Sequence, residues 1–385
     1  MATRIVQLRT HQTNIDRYEN MRKETPATSG RAGNQVRDDH QSQGRESVRR
    51  RDARGAVGPR RRGDRMRRRE FIILLATMAT PIAALAQEPG KIRHIGFLRV
   101  GPPPPAFIEG FRRGLRELGY LEGQHFVIDY GLAQSVAQIP DAAAELVRRR
   151  VDVIVASGTP SVLPARDAAG QTPVVFVATI DPVAAGLVAS LARPDHNITG
   201  ITSISADIMA KRLQMVRDLL PNLTKVALLV RESSPDTAQY VKESKTAAGN
   251  LGIELQIEIE RDPKDLEGVF VAARGASALL VADDAEFTAH RAQIADLALK
   301  NQLPTVSGLR ELAEAGGLMT YGPSFDELYW RAAGQVYKIL QGVNIADLPI
   351  EQPVKFDFVL NMRTATALGL TIPPSLLALA DEVIE

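Results

Sequence analysis

Cysteine is absent from all 385 residues, which excludes disulfides, thiol chemistry and any cysteine-based metal site. The short motifs of common enzymes are missing too. There is no G-x-S-x-G elbow, no G-x-x-x-x-G-K-[ST] phosphate loop, no G-x-G-x-x-G and no H-E-x-x-H or other histidine pair at helical metal spacing. Beyond residue 87 the histidines are His94, His125, His196 and His290, far apart in sequence and without an identifiable acid–base partner, so each reads as a surface or boundary residue. A covalent or metal-assisted enzyme has no visible machinery here, and neither a cofactor nor a metal is expected.

Long apolar runs are also lacking. The most apolar segment, "MRRREFIILLATMATPIAALAQ" at residues 66–87, has a run from Phe71 to Met78 that falls short of the ~20 residues needed to span a bilayer, and Pro81 interrupts it. Its basic start (Arg67, Arg68, Arg69), apolar middle and Ala84-Leu85-Ala86 cleavage pattern are instead those of a signal peptide over residues 66–86, cut after Ala86. Arg68-Arg69 also resembles a twin-arginine signal, and the export route stays open. Residues 1–65 hold 16 Lys plus Arg against 8 Asp plus Glu, with few apolar residues and no regular period. Such a segment is expected to be disordered, either a basic arm or an extension that translation from Met66 leaves out. Without a cysteine to carry lipid, the exported product is expected in soluble form, in the periplasm where the cell has an outer membrane.

Cleavage after Ala86 changes the sign of the charge, from +2 for the whole chain to 28 Lys plus Arg against 36 Asp plus Glu, a net −8. A nucleic-acid role loses its main support. The remaining 299 residues exceed what one core usually serves, so two lobes are expected. Short β-branched runs alternate with helical patterns: "IRHIGFLRV", a helix from Ala106 to Leu118, "HFVIDYG", "DAAAELVRRR", "VDVIVASG", "TPSVLPARDAAG", "TPVVFVAT" and a helix over "DPVAAGLVASLA". After "NITGITS" the cycle restarts, including a helix over 285–300. The fold class is α/β, two doubly wound parallel-sheet lobes joined by crossovers. Lobe 1 is expected to comprise 91–202 and 317–345, and lobe 2 to comprise 203–316 and 346–385.

In open α/β sheets ligands bind beyond the carboxyl ends of the strands. Those ends supply Arg99 to Gly101, Ser157-Gly158-Thr159-Pro160, Thr179-Ile180-Asp181-Pro182, Arg231 to Ser234, Asp283-Asp284, Ser307-Gly308 and Tyr321-Gly322. Ser157 to Pro160 reads as a helix start whose free amides face a carboxylate, or as a helix cap alone. Asp181 before Pro182 carries the same two readings, cap or ligand group. Aromatic candidates for a stacking wall are Phe107, Phe287, Tyr321 and Phe325. An exported enzyme using Asp283, Asp284 and Asp181 as acid and base is a rival reading, although adjacent acids in one strand-end loop are more simply solvated or ligand-binding groups.

From residue 92 to the end, the chain resembles the ABC-transporter substrate-binding proteins related to tryptophan-binding lipoproteins, with a type I periplasmic binding protein fold. The resemblance rests on "FRRGLRELGYLEGQHFVIDY", "AAAELVRRRVDVIVASGTPS", "TPVVFVATIDPVAAGLVASLARPDHNITGIT", "AKRLQMVRDLLP", "AEAGGLMTYGPS" and "KFDFVLNMRTATALGLTIPPSLLALADEVIE". It implies a ligand clamped between two lobes and delivered to a membrane permease with its ATPase, or, alternatively, sensed on behalf of a receptor kinase. The implied ligand is a small metabolite, an amino acid or related compound, and the implied protein is a monomer. The expected ligand residues are Ser157, Gly158, Thr159, Thr179, Asp181 and Tyr321 from lobe 1, with Ser233, Ser234 and Asp283 across the cleft. The proline-rich loop "VGPPPPAF" departs from the group and stiffens one lip of that cleft.

Overall fold

The computed structural model describes residues 91–385 apart from Asp195. The N-terminal extension, the signal peptide and its cleavage site lie outside the described residues.

Five strands form the first sheet: β1 Arg93–Val100, β2 Phe126–Ala133, β3 Val153–Ser157, β4 Val174–Thr179 and β5 Ile198–Thr202. Their order is β2-β1-β3-β4-β5, and every pairing is parallel. Neighbouring residues along a strand face opposite ways. Accordingly Ile95, Phe97, Val153 and Val155 enter one core with Phe107 and Phe111, whereas Leu98, Val100, Ile154 and Ala156 enter another with Leu146 and Phe176. Burial on both faces is why these strands read as unbroken apolar runs.

One covering helix, Pro105–Glu117, buries Phe107, Ile108, Phe111 and Leu115 and starts on a proline at its first position, where the missing N–H costs nothing. Against it packs the helix Phe325–Leu340, which reaches back from the far end of the chain. A Cβ on Gly114 would stand 2.6 Å from the Trp330 carbonyl, so only glycine permits this approach.

The second sheet has seven strands: β6 Lys225–Arg231, β7 Glu254–Glu260, β8 Ala278–Val281, β9 Thr305–Ser307, β10 Met319–Pro323, β11 Phe356–Asn361 and β12 Glu382–Ile384. The order is β12-β11-β10-β9-β8-β6-β7, antiparallel only between β10 and β11. One core serves it, built on Val226, Leu228, Leu280, Phe270 and Leu360.

The chain passes between the sheets three times, after β5, after β10 and before β11. These passages are tied together where Thr202 N–H donates to the Glu351 carbonyl (2.8 Å), Glu351 N–H to Gly200 (3.0 Å) and Ser324 N–H to Lys355 (3.0 Å).

Three sequence expectations are corrected. Residues 317–345 do not all return to the first lobe, because β10 pairs with β9 and β11 in the second sheet and only the helix after it crosses back. A short alternating strand carries no signal of which sheet it extends. The segment after Asp181 is a run of turns, not a helix. Leu187 and Val188 N–H both turn back to the Pro182 carbonyl, five and six residues away, which is not the four-residue bonding of an α-helix, and both side chains are buried in the first lobe. The helix expected over 285–300 is two, Ala285–Ala289 and Arg291–Lys300, broken at His290.

Candidate functional site

The carboxyl ends of both sheets face a common cleft of about 440 Å³ of free space. Its wall from the first half is Arg99, Phe107, Ser157, Gly158, Ala178 and Ser203, with Phe325 and Tyr329 from the returning helix; from the second half come Asp283, Asp284, Ala285, Thr288 and Leu309. The halves touch across it, with Ala285 packed against the core of the first lobe and Val136 N–H 3.5 Å from Glu286 Oε1.

On the first side the aromatics form one block. Phe107 stacks on Phe325 (5.1 Å between centroids, 11° between planes) and on Tyr329 (4.7 Å, 22°). The Tyr329 hydroxyl is hydrogen-bonded to Ser157 Oγ, and burial pushes its pKa up to about 12. Arg99, only 3% exposed, lies over Phe107 with its guanidinium carbon 5.6 Å from the ring centroid. Its Nε donates to the Val100 carbonyl, while Nη1 has no acceptor.

At the end of β4 the pairing with β5 slips between Val177 and Thr179, and Ala178 sits at φ +65°. A bulge with a left-handed non-glycine residue is a locally strained feature that re-aims the backbone, here directly in the cleft wall. Beyond it the hydroxyls of Thr179 and Thr202 are buried without a partner.

The second side is neutralised internally. Arg212, fully buried, donates from Nη2 to Asp283 Oδ2 (2.7 Å) and from Nε to the Tyr321 carbonyl (2.8 Å). The other Asp283 oxygen accepts from Gly308 N–H (2.8 Å) and Ser307 Oγ (3.2 Å). A Cβ on Gly308 would fall 1.8 Å from Arg212 Nη2, so this joint requires glycine. Arg231 pairs with Asp284 through two nitrogens (3.1 and 3.2 Å), and Asp284 also caps Ala285–Ala289 through Glu286 N–H (2.8 Å).

Of the expected ligand residues, Ser157, Gly158 and Asp283 line the cleft together. Thr159 and Thr179 are buried next in sequence to the lining residues Gly158 and Ala178 and do not line the cleft themselves. Asp181 Oδ1 accepts from Val183 N–H (3.0 Å) and Ala184 N–H (2.9 Å), capping the turn. Ser233 Oγ accepts from Arg231 (2.6 Å), Ser234 shapes the turn before the helix Thr237–Leu251, and Tyr321 stacks on Phe356 at 6.0 Å. These four do not line the cleft. Among the aromatic candidates Phe107 and Phe325 line it, whereas Phe287 belongs to the second core.

Sequence reasoning missed Tyr329 and Asp236. Tyr329 follows Phe325 by four residues on one helix face, a spacing that was available to find it. Asp236 precedes the helix Thr237–Leu251 but its side chain makes no cap. Burial, with Asp284 and Asp181 adding repulsion, pushes its pKa up to about 7, and Thr159 is the group that favours its charged form.

Two α/β lobes whose strand ends meet over a polar cleft with an aromatic wall define a two-lobed binding protein of the type I periplasmic binding protein class. The family model described as ABC transporter substrate binding protein matches residues 101–384, and the chain belongs to that family, one of binding proteins and not of enzymes. It is 26% identical over 271 residues to a tyrosine-binding protein of Clostridioides difficile (strain R20291), covering 68% of this chain and 76% of that one. Among solved structures it is similar to a conserved domain protein from Vibrio cholerae (TM-score 0.72, 25% identity, 76% of this chain and 100% of that one). It is similar in fold to an ABC domain in complex with L-Trp from Streptococcus pneumonia (TM-score 0.70, 24% identity, 76% and 100%).

Proposed function

We propose that this protein is the solute-binding component of an ABC importer, closing its two lobes on an amino acid in the cleft and presenting it to a membrane permease with its ATPase. It works as an exported monomer, in keeping with the signal-like segment at residues 66–86. No helix among the described residues is long and apolar enough to cross a membrane.

The observation that carries this reading is Arg99, buried in the cleft wall with its Nη1 lacking any partner. Such an atom costs about 1–3 kcal/mol while unsatisfied, so a polar ligand that reaches it from the closed cleft binds that form better than the open one, which is what drives hinge closure. The family's relatives add the ligand class, since one is a tyrosine-binding protein and another holds L-Trp. The start of the helix Thr159–Ala169 offers little to an anion, since Gly158 N–H already bonds the Val177 carbonyl, Ser161 N–H the Gly158 carbonyl, and Pro160 has no N–H.

A thermal-shift screen against the amino acids and related metabolites tests this. At a ligand concentration about 100-fold above Kd the stabilisation is about 2.7 kcal/mol, roughly 5–10 °C on the scale of a chain somewhat smaller than this one. A flat response to every amino acid contradicts the reading.

A further inference from the structure

We propose that Arg99 selects the ligand by capturing its acidic group, so that the cleft takes a carboxylic acid and discriminates against the matching amine. The inference rests on the cleft being the solute site and names the group recognised there.

Three arginines are buried at these strand ends, and they differ in one respect. Arg212 has Asp283 at 2.7 Å and Arg231 has Asp284 at 3.1 Å. Arg99, as deeply buried, has no carboxylate within 4.0 Å among the described residues, and its Nη1 has no acceptor of any kind. A buried guanidinium persists only with compensation. Phe107 supplies part of it through the ring face and the Val100 carbonyl part through Nε, while Nη1 is left without an acceptor.

Glu311, from the second half, lies near enough to favour the charge on Arg99 but makes no bond to it. Burial raises the pKa of Glu311 itself, which makes it a weak counter-ion. Arg99 also shares the cleft wall with Ser157 and Tyr329, whose hydroxyls already bond each other, and with Phe107 and Phe325. A planar carboxylate matches the guanidinium fork, and an apolar or aromatic remainder suits the ring wall. Inorganic phosphate shares the anionic chemistry but leaves its outer oxygens against Phe107 and Phe325, where they find no donors.

Calorimetric titration of the purified protein with L-tyrosine, L-tryptophan and L-phenylalanine, and with tyramine, tryptamine and phenethylamine, decides the matter. The amines keep ring and ammonium and lack only the carboxylate. At least one acid binds, and its amine is weaker by about tenfold to hundredfold, the scale of one charged hydrogen bond. Arg99→Met produces a loss of the same size, and Arg99→Lys restores part of it. Equal affinity for acid and amine overturns the assignment while leaving the cleft as the solute site. So does parental affinity in Arg99→Met, or tighter binding of inorganic phosphate than of any acid. Failure of the parent to bind any of the acids overturns the assignment as well, and failure with all amino acids removes the underlying reading. Should Arg99→Met not fold, the acid–amine series on the parent still decides.

Discussion

Asp283→Asn separates a structural acid from a ligand-binding one. The wild-type carboxylate spends both oxygens within the second lobe, on Arg212 through Oδ2 and on Gly308 N–H and Ser307 Oγ through Oδ1. Arg212 in turn fixes the Tyr321 carbonyl, so the buried Arg212–Asp283 pair joins the ends of β8, β9 and β10. The substitution keeps the shape but removes the charge, and whichever way the amide turns, its NH₂ group faces a donor. Breaking a buried pair while leaving the partner charged costs about 3–5 kcal/mol. At roughly 2–4 °C per kcal/mol for a chain somewhat smaller than this one, the melting temperature falls by on the order of 10 °C. Thermal melts and calorimetry on the same preparation read both effects: a large loss of stability, with amino-acid affinity changed by less than about threefold where the variant is folded. A variant that melts within about 2 °C of the parent yet no longer binds refutes this reasoning and returns Asp283 to the ligand.

Asp236→Asn has a pH signature. The Asp236 pKa is pushed up to about 7 by burial, against 3.8 for the free group. Between those values the folded protein holds a proton the unfolded chain has released, so stability falls as pH rises through this window and levels off above it. The melting-temperature difference, variant minus parent, therefore grows from pH 5 to pH 8, and a constant difference contradicts the assignment. Gly308→Ala forces a Cβ onto the Arg212–Asp283 pair and is expected to destabilise by several kcal/mol or prevent folding, seen as loss of the cooperative melt; near-parental stability counts against that packing. Asp181→Asn keeps the turn cap, since Asn caps nearly as well as Asp, and is expected to leave both melting temperature and affinity near the parent, whereas a tenfold affinity loss makes Asp181 a ligand group.

Much of this architecture was legible in the residues. Continuous runs such as "VDVIVASG" announce strands covered on both faces, and the rule of strand ends groups Arg99, Ser157, Thr179, Arg231 and Asp283 from sequence alone. What each of them does was not legible. Asp283 meets Arg212 from 71 residues away, and no local pattern distinguishes an acid used by a distant arginine from one left for a ligand. Arg99 differs from Arg231 only in what three-dimensional packing fails to place beside it. Placing β10 with the first lobe failed for a similar reason, because Met319 to Pro323 has the composition of a strand in either sheet and its neighbours are chosen by edge pairing. The helix expected after Asp181 is absent: a capping pair and a small-residue run outline a helix start, whereas Leu187 and Val188 N–H close back on the Pro182 carbonyl and end it as a turn.

The claim on which the account depends is that the two lobes close on an amino acid held between them. Small-angle scattering of the purified protein, alone and saturated with the amino acid found in the screen, tests it most directly. The account predicts one ligand bound per chain and a smaller radius of gyration in the saturated protein, whereas binding with an unchanged radius contradicts it.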